Sequence, residues 1–338
     1  MNEAVSLANI LDQIGDTKVL IAECKNKSIV NAEFERREIL VAFHDVDGTH
    51  SLIREWPPVM SGVLYDVIVN GLPENYDSEE NVKRLVAFCG TEVLEETDRF
   101  CVESAGLSAL TQMEWAIRRS MQEGNIVVEG GKGAANDEKI ARIWKGEEIF
   151  EDLPDTPEVE KYLTEHTPRL FKLYENVLNG FCRDKNLEKA KKDPASFQIN
   201  GSMEWIKFLK DNGVKNYFVT GAVVEKGMGM YEEVEVLGYT FGEDGLMDDI
   251  YGSTWDEKVP KNVIMERLVK KFGLDPKNVL IVGDGRSEIA TGVNLGALTI
   301  SRLPMDATVQ RELHKNLGTN IIVEDYECDA LYENLHAE

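Results

Sequence analysis

Three short apolar runs, each ending at a polar or acidic cluster, constrain the fold of this chain more than any other feature. Residues 39–43 lead into HisAspValAspGlyThr, residues 217–219 into ThrGlyAla, and residues 279–282 into GlyAspGlyArgSerGlu. Apolar runs of that length, bounded by turn formers, read as buried strands, and residues 298–300 and 321–323 repeat the pattern. Helical periodicity fills the gaps at residues 203–212, at 262–272 with Gly273 as the stop, and at 307–317 with Gly318 as the stop. Buried strands alternating with amphipathic helices imply an α/β fold, a doubly wound parallel sheet of Rossmann-like type covered on both faces. Such sheets gather their ligands at the carboxyl ends of the strands, which is where the polar clusters fall.

The stretch from residue 55 to residue 198 lacks convincing strands. Residues 79–88, 92–102, 109–123 and 159–181 carry mixed apolar and charged faces suited to a bundle, so the region reads as an inserted helical domain. Residues 129–136, GluGlyGlyLysGlyAlaAlaAsn, read as a loop without the spacing or preceding strand of a phosphate-cradling motif. The expected organisation is an N-terminal extension over residues 1–37 containing a helix at 5–15, a core from residues 38–55 and 199–338, and a helical insertion over 56–198.

Composition excludes several functions. Hydrophobic residues make up 43% and charged residues 29%, with no apolar run near the roughly 20 residues a membrane span requires. The first residues lack the basic and then apolar pattern of an export signal, so a cytoplasmic location is expected. The five cysteines, Cys24, Cys89, Cys101, Cys182 and Cys328, are scattered and never form a CxxC pair, which argues for reduced packing residues and against a zinc site. A formal net charge of -24 repels nucleic acid and anionic membrane surfaces, so neither is an expected partner. The same field opposes phosphorylated ligands, and a site for one must concentrate metal ions and a few Lys or Arg residues.

Asp45 and Asp47 stand two residues apart just past a buried strand, followed by Gly48 and Thr49. Such a pair on one tight turn suits phosphoryl chemistry: Asp45 attacks phosphorus in line, while Asp47 protonates the leaving oxygen and later activates water. Like charges this close repel, and magnesium, with its preference for hard oxygen ligands and phosphate, relieves the repulsion. Asp284, at the end of another strand, is the natural third carboxylate. An acidic turn without function is the alternative reading, since Asp and Gly are common turn formers. A calcium-loop reading fails because the later acidic positions are missing.

With ThrGlyAla and GlyAspGlyArgSerGlu following their own strands in order, the chain resembles the haloacid dehalogenase superfamily of phosphohydrolases. The resemblance covers residues 38–56 and 199–325. It implies Asp45 as nucleophile, Asp47 as acid/base, Thr220 as phosphate-binding hydroxyl with the amide of Gly221 beside it, and Lys261 as charge-balancing lysine. It also implies a magnesium site formed by Asp45, Asp47, Asp284 and Glu288. The insertion is similar to the helical cap of one branch of that superfamily, which closes over compact substrates. The chain departs from the pattern in two places: Glu288 stands where many relatives have Asp, and His44 precedes the nucleophile where an aromatic residue is usual. Lys258 and Lys261 both lie before the helix at 262–272; Lys261, at its start, is favoured because helix amides and an ammonium together offset anionic charge.

Arg54 and Arg286 adjoin strand ends and are candidates to bind substrate, with Arg302 a further one; each is equally suited to a surface ion pair. His44 suits packing at a strand end as well as proton relay, and His50 suits packing as well as contact with substrate. Gln112 and Glu114 are candidate specificity residues on the insertion, or simply polar positions at a helix start. The function expected is magnesium-dependent hydrolysis of a small phosphomonoester, a sugar phosphate or short organic phosphate, through an aspartyl-phosphate. Dehalogenation has no use for the acid at Asp47. Two rivals differ in outcome: a phosphomutase or phosphotransferase would release no inorganic phosphate, and a silent scaffold would be expected to have lost at least one of Asp45, Asp47, Thr220, Lys261 and Asp284.

Overall fold

A run of four buried residues, Val41–His44, forms the strand that ends at Asp45, and burial along its whole length marks it as an interior strand of a parallel sheet. A computed structural model describes residues 22–24, 27–29, 38–254, 259–327 and 329–332. The helix expected at residues 5–15, Lys258 and Cys328 lie outside the described residues. In chain order the strands are β1 (Ala22–Cys24), β2 (Lys27–Ile29), β3 (Val41–His44), β4 (Lys215–Glu225), β5 (Met228–Gly229), β6 (Asp249–Ser253), β7 (Val279–Gly283), β8 (Leu298–Arg302) and β9 (Ile321–Val323). They join in the order β1-β2-β9-β8-β7-β3-β4-β5, with β6 on β4. The stretch from β9 through β8, β7 and β3 to β4 is parallel, and β1, β2 and β5 add antiparallel edges.

This is the doubly wound α/β fold expected. Helices Ser202–Asp211, Lys261–Phe272, Arg286–Leu295 and Thr308–Leu317 occupy the connections, the last ending at Gly318 as its composition predicts. Two expectations need correction. The strand at 217–219 does not stop at Thr220 but runs on to Glu225, because Val224 and Glu225 gain an antiparallel partner in β5 and β6 supplies a second edge. The loop at 129–136 ends at Gly133, and Ala134–Trp144 is a helix.

Contacts divide the chain into two compact units. One takes the described parts of Met1–Leu52, Ala190–Gly252 and Lys261–Glu338, and the other takes Ile53–Lys189 with the described parts of Ser253–Pro260. The second unit is helical. Ser78 and Thr156 cap the helices Glu79–Phe88 and Pro157–Leu178 by accepting from Asn81 N and Val159 N, each at 3.3 Å, which satisfies amides a helix start leaves open. Helix Trp56–Asn70 packs on Ala109–Glu123 and Glu95–Glu103, and at the centre Phe100 stacks on Trp115 with ring centroids 3.8 Å apart. Side chains of that size, fully buried, each contribute about 1.5–3 kcal/mol. Cys89, Cys101 and Cys182 are buried, reduced thiols, and burial pushes the Cys89 thiol up to about 12, in keeping with a packing role. Among the described residues no helix is long and apolar enough to cross a membrane.

In the sheet unit His314 is buried against β8, its Nδ1 2.8 Å from Ser301 Oγ. Burial lowers its pKa to about 4 from the usual 6.5, with Glu288 opposing. The unfolded chain therefore takes up a proton on falling below pH 6.5 that the folded chain refuses until about 4. This contribution to stability is complete above pH 6.5 and lost as pH falls toward 4. A His314→Gln variant is expected to lose roughly 3 kcal/mol less stability than wild type between pH 7 and pH 4, measured by urea unfolding at each pH.

Candidate active site

The carboxyl ends of β3 and β7 are adjacent, with His44 opposite Val282 in the ladder. Asp45 extends that ladder by one bond, donating its N–H to Val282 O at 2.9 Å, and its side chain emerges beside Asp284, the residue that follows β7. The chain then turns tightly: the carbonyl of Val46 accepts the amides of Thr49, His50 and Ser51 at 3.2, 2.8 and 2.9 Å. Gly48 sits at φ 74° within the turn, and a Cβ there would lie 2.2 Å from Asp284 Oδ2. Glycine is needed on both counts, backbone conformation and the close approach of the carboxylate. Thr49 Oγ1 donates to Asp284 Oδ1 at 3.3 Å.

Gly283 serves the neighbouring carboxylate, since a Cβ there would lie 2.4 Å from Glu288 Cγ. Glu288 is fully buried in the first turn of helix Arg286–Leu295, where its Oε1 accepts from Gly285 N at 2.7 Å and so caps the helix it belongs to. Lys261, first residue of its helix and only 3% exposed, donates Nζ to Asp45 Oδ1 at 2.6 Å and to Glu288 Oε2 at 3.4 Å.

Ligand oxygens of Asp45, Asp284 and Glu288 all lie within 4.8 Å of one another. Three carboxylates against one ammonium leave two negative charges among these four groups, the complement of a divalent cation. The protonation shifts report that imbalance. Burial raises the pKa of Asp45, Lys261 opposes the rise, and Glu288 adds to it. Asp284 is raised well above the usual carboxylate range by burial, by Asp45 and by Glu288. Burial alone would lower Lys261, but Asp45 and Glu288 overcome it and hold the ammonium above its ordinary range. A cation bound here would oppose the rise at Asp45 and Asp284 by favouring their charged forms.

The residues singled out in the sequence fall into three sets. Asp45, Lys261, Asp284 and Glu288 come together. Thr220 lies on the strand beside them: His44 pairs with Phe218, so Asp45 and Thr220 stand one and two steps past a matched pair, with Thr220 buried and its Oγ1 accepting from Ala222 N at 3.1 Å. Gly221 follows it within β4, and Asp47, half-buried, lies on the turn without joining the cluster of three carboxylates. Arg286 is half-buried at the start of its helix. Arg54 belongs to the helical unit, where its Nη1 donates to Glu175 at 3.1 Å. Gln112 and Glu114 are engaged in the same unit, with Ser104 at 2.9 Å and Arg118 at 2.8 Å.

Three residues hold the turn itself, and the motifs do not reveal them. Arg302 donates Nη1 to Gly48 O at 2.9 Å and Nε to Glu324 O at 2.8 Å; Tyr326 donates its hydroxyl to Thr49 O at 3.0 Å; Ile199 donates its amide to His50 O at 3.3 Å. Arg302 is thus spent on backbone. His44 and His50 are fully buried beneath the turn, 3.0 Å apart, and burial drives His44 down to about 4 and His50 well below its usual value.

The family model of haloacid dehalogenase-like hydrolases matches residues 60–296, a span containing Thr220, Lys261, Asp284 and Glu288. No curated protein sequence matches the chain. Among solved structures it is similar to a candidate phosphoglycolate phosphatase from Lactobacillus delbrueckii subsp. bulgaricus, at 17% identity and a TM-score of 0.47, covering 89% of this chain and 100% of that one. A candidate β-phosphoglucomutase from Bacteroides vulgatus is similar at 14% identity and a TM-score of 0.46, covering 89% and 90%. A phosphonoacetaldehyde hydrolase-like protein from Oleispira antarctica follows at 13% identity and a TM-score of 0.46, covering 94% and 96%.

Proposed function

This chain belongs to the haloacid dehalogenase-like hydrolases, and from that membership we propose that it hydrolyses a small phosphomonoester, with Asp45 as nucleophile and Asp47 as general acid/base. The observation that carries the proposal is the buried pair of Lys261 and Asp45 at 2.6 Å, with Asp284 and Glu288 around it, at the carboxyl ends of adjacent parallel strands. A lysine bonded to one carboxylate oxygen fixes which face of Asp45 is left to attack. It also opposes the rise in pKa that burial imposes on Asp45, favouring the charged form.

In the first step a carboxylate oxygen of Asp45 forms a bond to phosphorus as the ester P–O bond breaks, and protonated Asp47 gives its proton to the departing alkoxide. In the second, ionised Asp47 takes a proton from water, whose oxygen attacks phosphorus and releases inorganic phosphate, restoring both carboxyls. The Thr220 hydroxyl and the Gly221 amide donate to the transferring group's oxygens, where charge spreads in the transition state. Magnesium fits the donor set: Asp45, Asp284 and Glu288 would hold it, with Asp47 adjoining, and it supplies positive charge for the phosphate oxygens. Compact sugar or organic phosphates are the substrate class.

The experiment that tests this reading is release of inorganic phosphate from a panel of small phosphate esters, with magnesium and then with excess EDTA. Release that requires the metal and is confined to a few compact esters supports it, whereas transfer of the phosphoryl group to a second hydroxyl without free phosphate would replace it. The close approach at Gly48 gives a separate check. A Gly48→Ala variant is expected to bind magnesium about 10- to 100-fold more weakly by calorimetric titration, because the new methyl displaces the Asp284 carboxylate.

A further inference from the structure

We propose that His44 and His50 are positioning residues of this site, forming one directed hydrogen-bond chain that sets the orientation of the turn bearing Asp45. The inference rests on the reading of Asp45 as nucleophile. The chain begins on β4, where Asn216 is fully buried and its Nδ2 donates to Val214 O at 3.2 Å, so that its Oδ1 faces the His44 ring. An amide oxygen only accepts; His44 Nε2, 3.1 Å away, must therefore carry a hydrogen. A neutral His44 then presents Nδ1 as acceptor, and His50 Nε2 at 3.0 Å must be the donor. That leaves His50 Nδ1 to accept from the hydroxyl of Ser202 at 2.6 Å, and the Ser202 oxygen to accept from Tyr239 at 2.6 Å. Tyr239, whose hydroxyl also lies 3.4 Å from His50 O, spends its single proton on the shorter bond to Ser202, and both imidazoles are the Nε2–H tautomer.

The links join parts that the nucleophile needs held. His44 immediately precedes Asp45, Asn216 lies four residues before Thr220 on the neighbouring strand, and Ser202 opens the helix Ser202–Asp211. His50 is the far end of the turn, lying flat against Tyr326 with ring planes 1° apart and edge-on to Phe218. Tyr326 in turn holds Thr49 O. Two apolar side chains in place of His44 and His50 would fill the same space without two buried imidazoles whose nitrogens must be satisfied. What the polar chain adds over packing is direction, because each hydrogen bond has one geometry whereas dispersion contacts have many. A carboxylate that must meet phosphorus in line depends on such placement, and a displacement near 1 Å costs about 10²-fold in rate.

The test combines turnover with a readout that needs none. His44→Phe keeps the ring and removes both of its hydrogen bonds, whereas His44→Asn places an acceptor near the position of Nδ1. The Phe variant is expected to lower kcat about 10-fold or more with KM nearly unchanged and the fold intact by circular dichroism, and the Asn variant to recover most of the loss. A folded Phe variant with wild-type kcat, on substrates that wild type hydrolyses, overturns the proposal and leaves the reading of Asp45 standing. Absence of phosphate release by wild type on every ester strikes that reading instead. Long-range nitrogen–proton NMR of the wild-type imidazoles then decides the chain itself. Two neutral Nε2–H rings at pH 7 support it, and an Nδ1–H or doubly protonated ring at either position overturns it.

Discussion

Replacing Asp45 with Asn is expected to lower kcat by roughly 10⁴-fold or more while leaving the protein at least as stable as wild type in EDTA. The two halves of this result have separate causes. Activity is lost because an amide oxygen is a poor nucleophile toward phosphorus, and the covalent step has no substitute. Stability is kept because Asn is nearly isosteric, can still accept from Lys261 and removes one of three crowded carboxylates, whose mutual repulsion adds to burial in raising the pKa of Asp45 and Asp284. Steady-state kinetics and urea unfolding on the same preparation check both halves. A variant that is inactive because it is unfolded would not support the account.

Lys261→Met is expected to do the reverse to stability. Removing the ammonium leaves Asp45, Asp284 and Glu288 facing one another in a buried site without the cation that pairs with Asp45 and Glu288. Breaking a buried pair by deleting one partner costs about 3–5 kcal/mol, because the remaining charge stays buried and uncompensated. The loss should be greatest at neutral pH in EDTA and should shrink as pH falls, since protonating carboxyls of raised pKa removes the repulsion. Magnesium should restore part of it by binding the folded state. Turnover should fall about 10²- to 10³-fold with magnesium present, as when one group that stabilises the transition state is removed. Urea unfolding at pH 7 and pH 5, with and without magnesium, separates these contributions.

The strand runs that end at Asp45 and Asp284 were legible in the sequence because both depend on local pattern: a short buried run followed by turn formers. Thr220 was legible as a residue and misjudged as a strand end, since nothing in ThrGlyAla announces that β5 and β6 will pair with the residues beyond it. Lys261 could be favoured from its place at a helix start, but its bond to Asp45 spans 216 positions and is a fact of tertiary packing. Arg54 shows the same limit, with its partner Glu175 lying 121 positions away on a helix of the insertion. The clamp of Arg302 and Tyr326 on the turn left no signature, because a side chain that donates to a backbone carbonyl places no demand on residue type there. His44 and His50 were visible as unusual neighbours of the motif, yet the direction of their hydrogen bonds follows only from Asn216, 172 positions from His44.

The central claim is that Asp45 carries the phosphoryl group. Its most direct test is to quench wild-type enzyme during turnover with magnesium and a hydrolysed ester, reduce with borohydride and map the modified residue by mass spectrometry. The account predicts a homoserine at position 45, dependent on substrate and absent in Asp45→Asn. Turnover with a reduced carboxyl at another position, or with residue 45 unmodified under conditions that trap acyl phosphates, would contradict it.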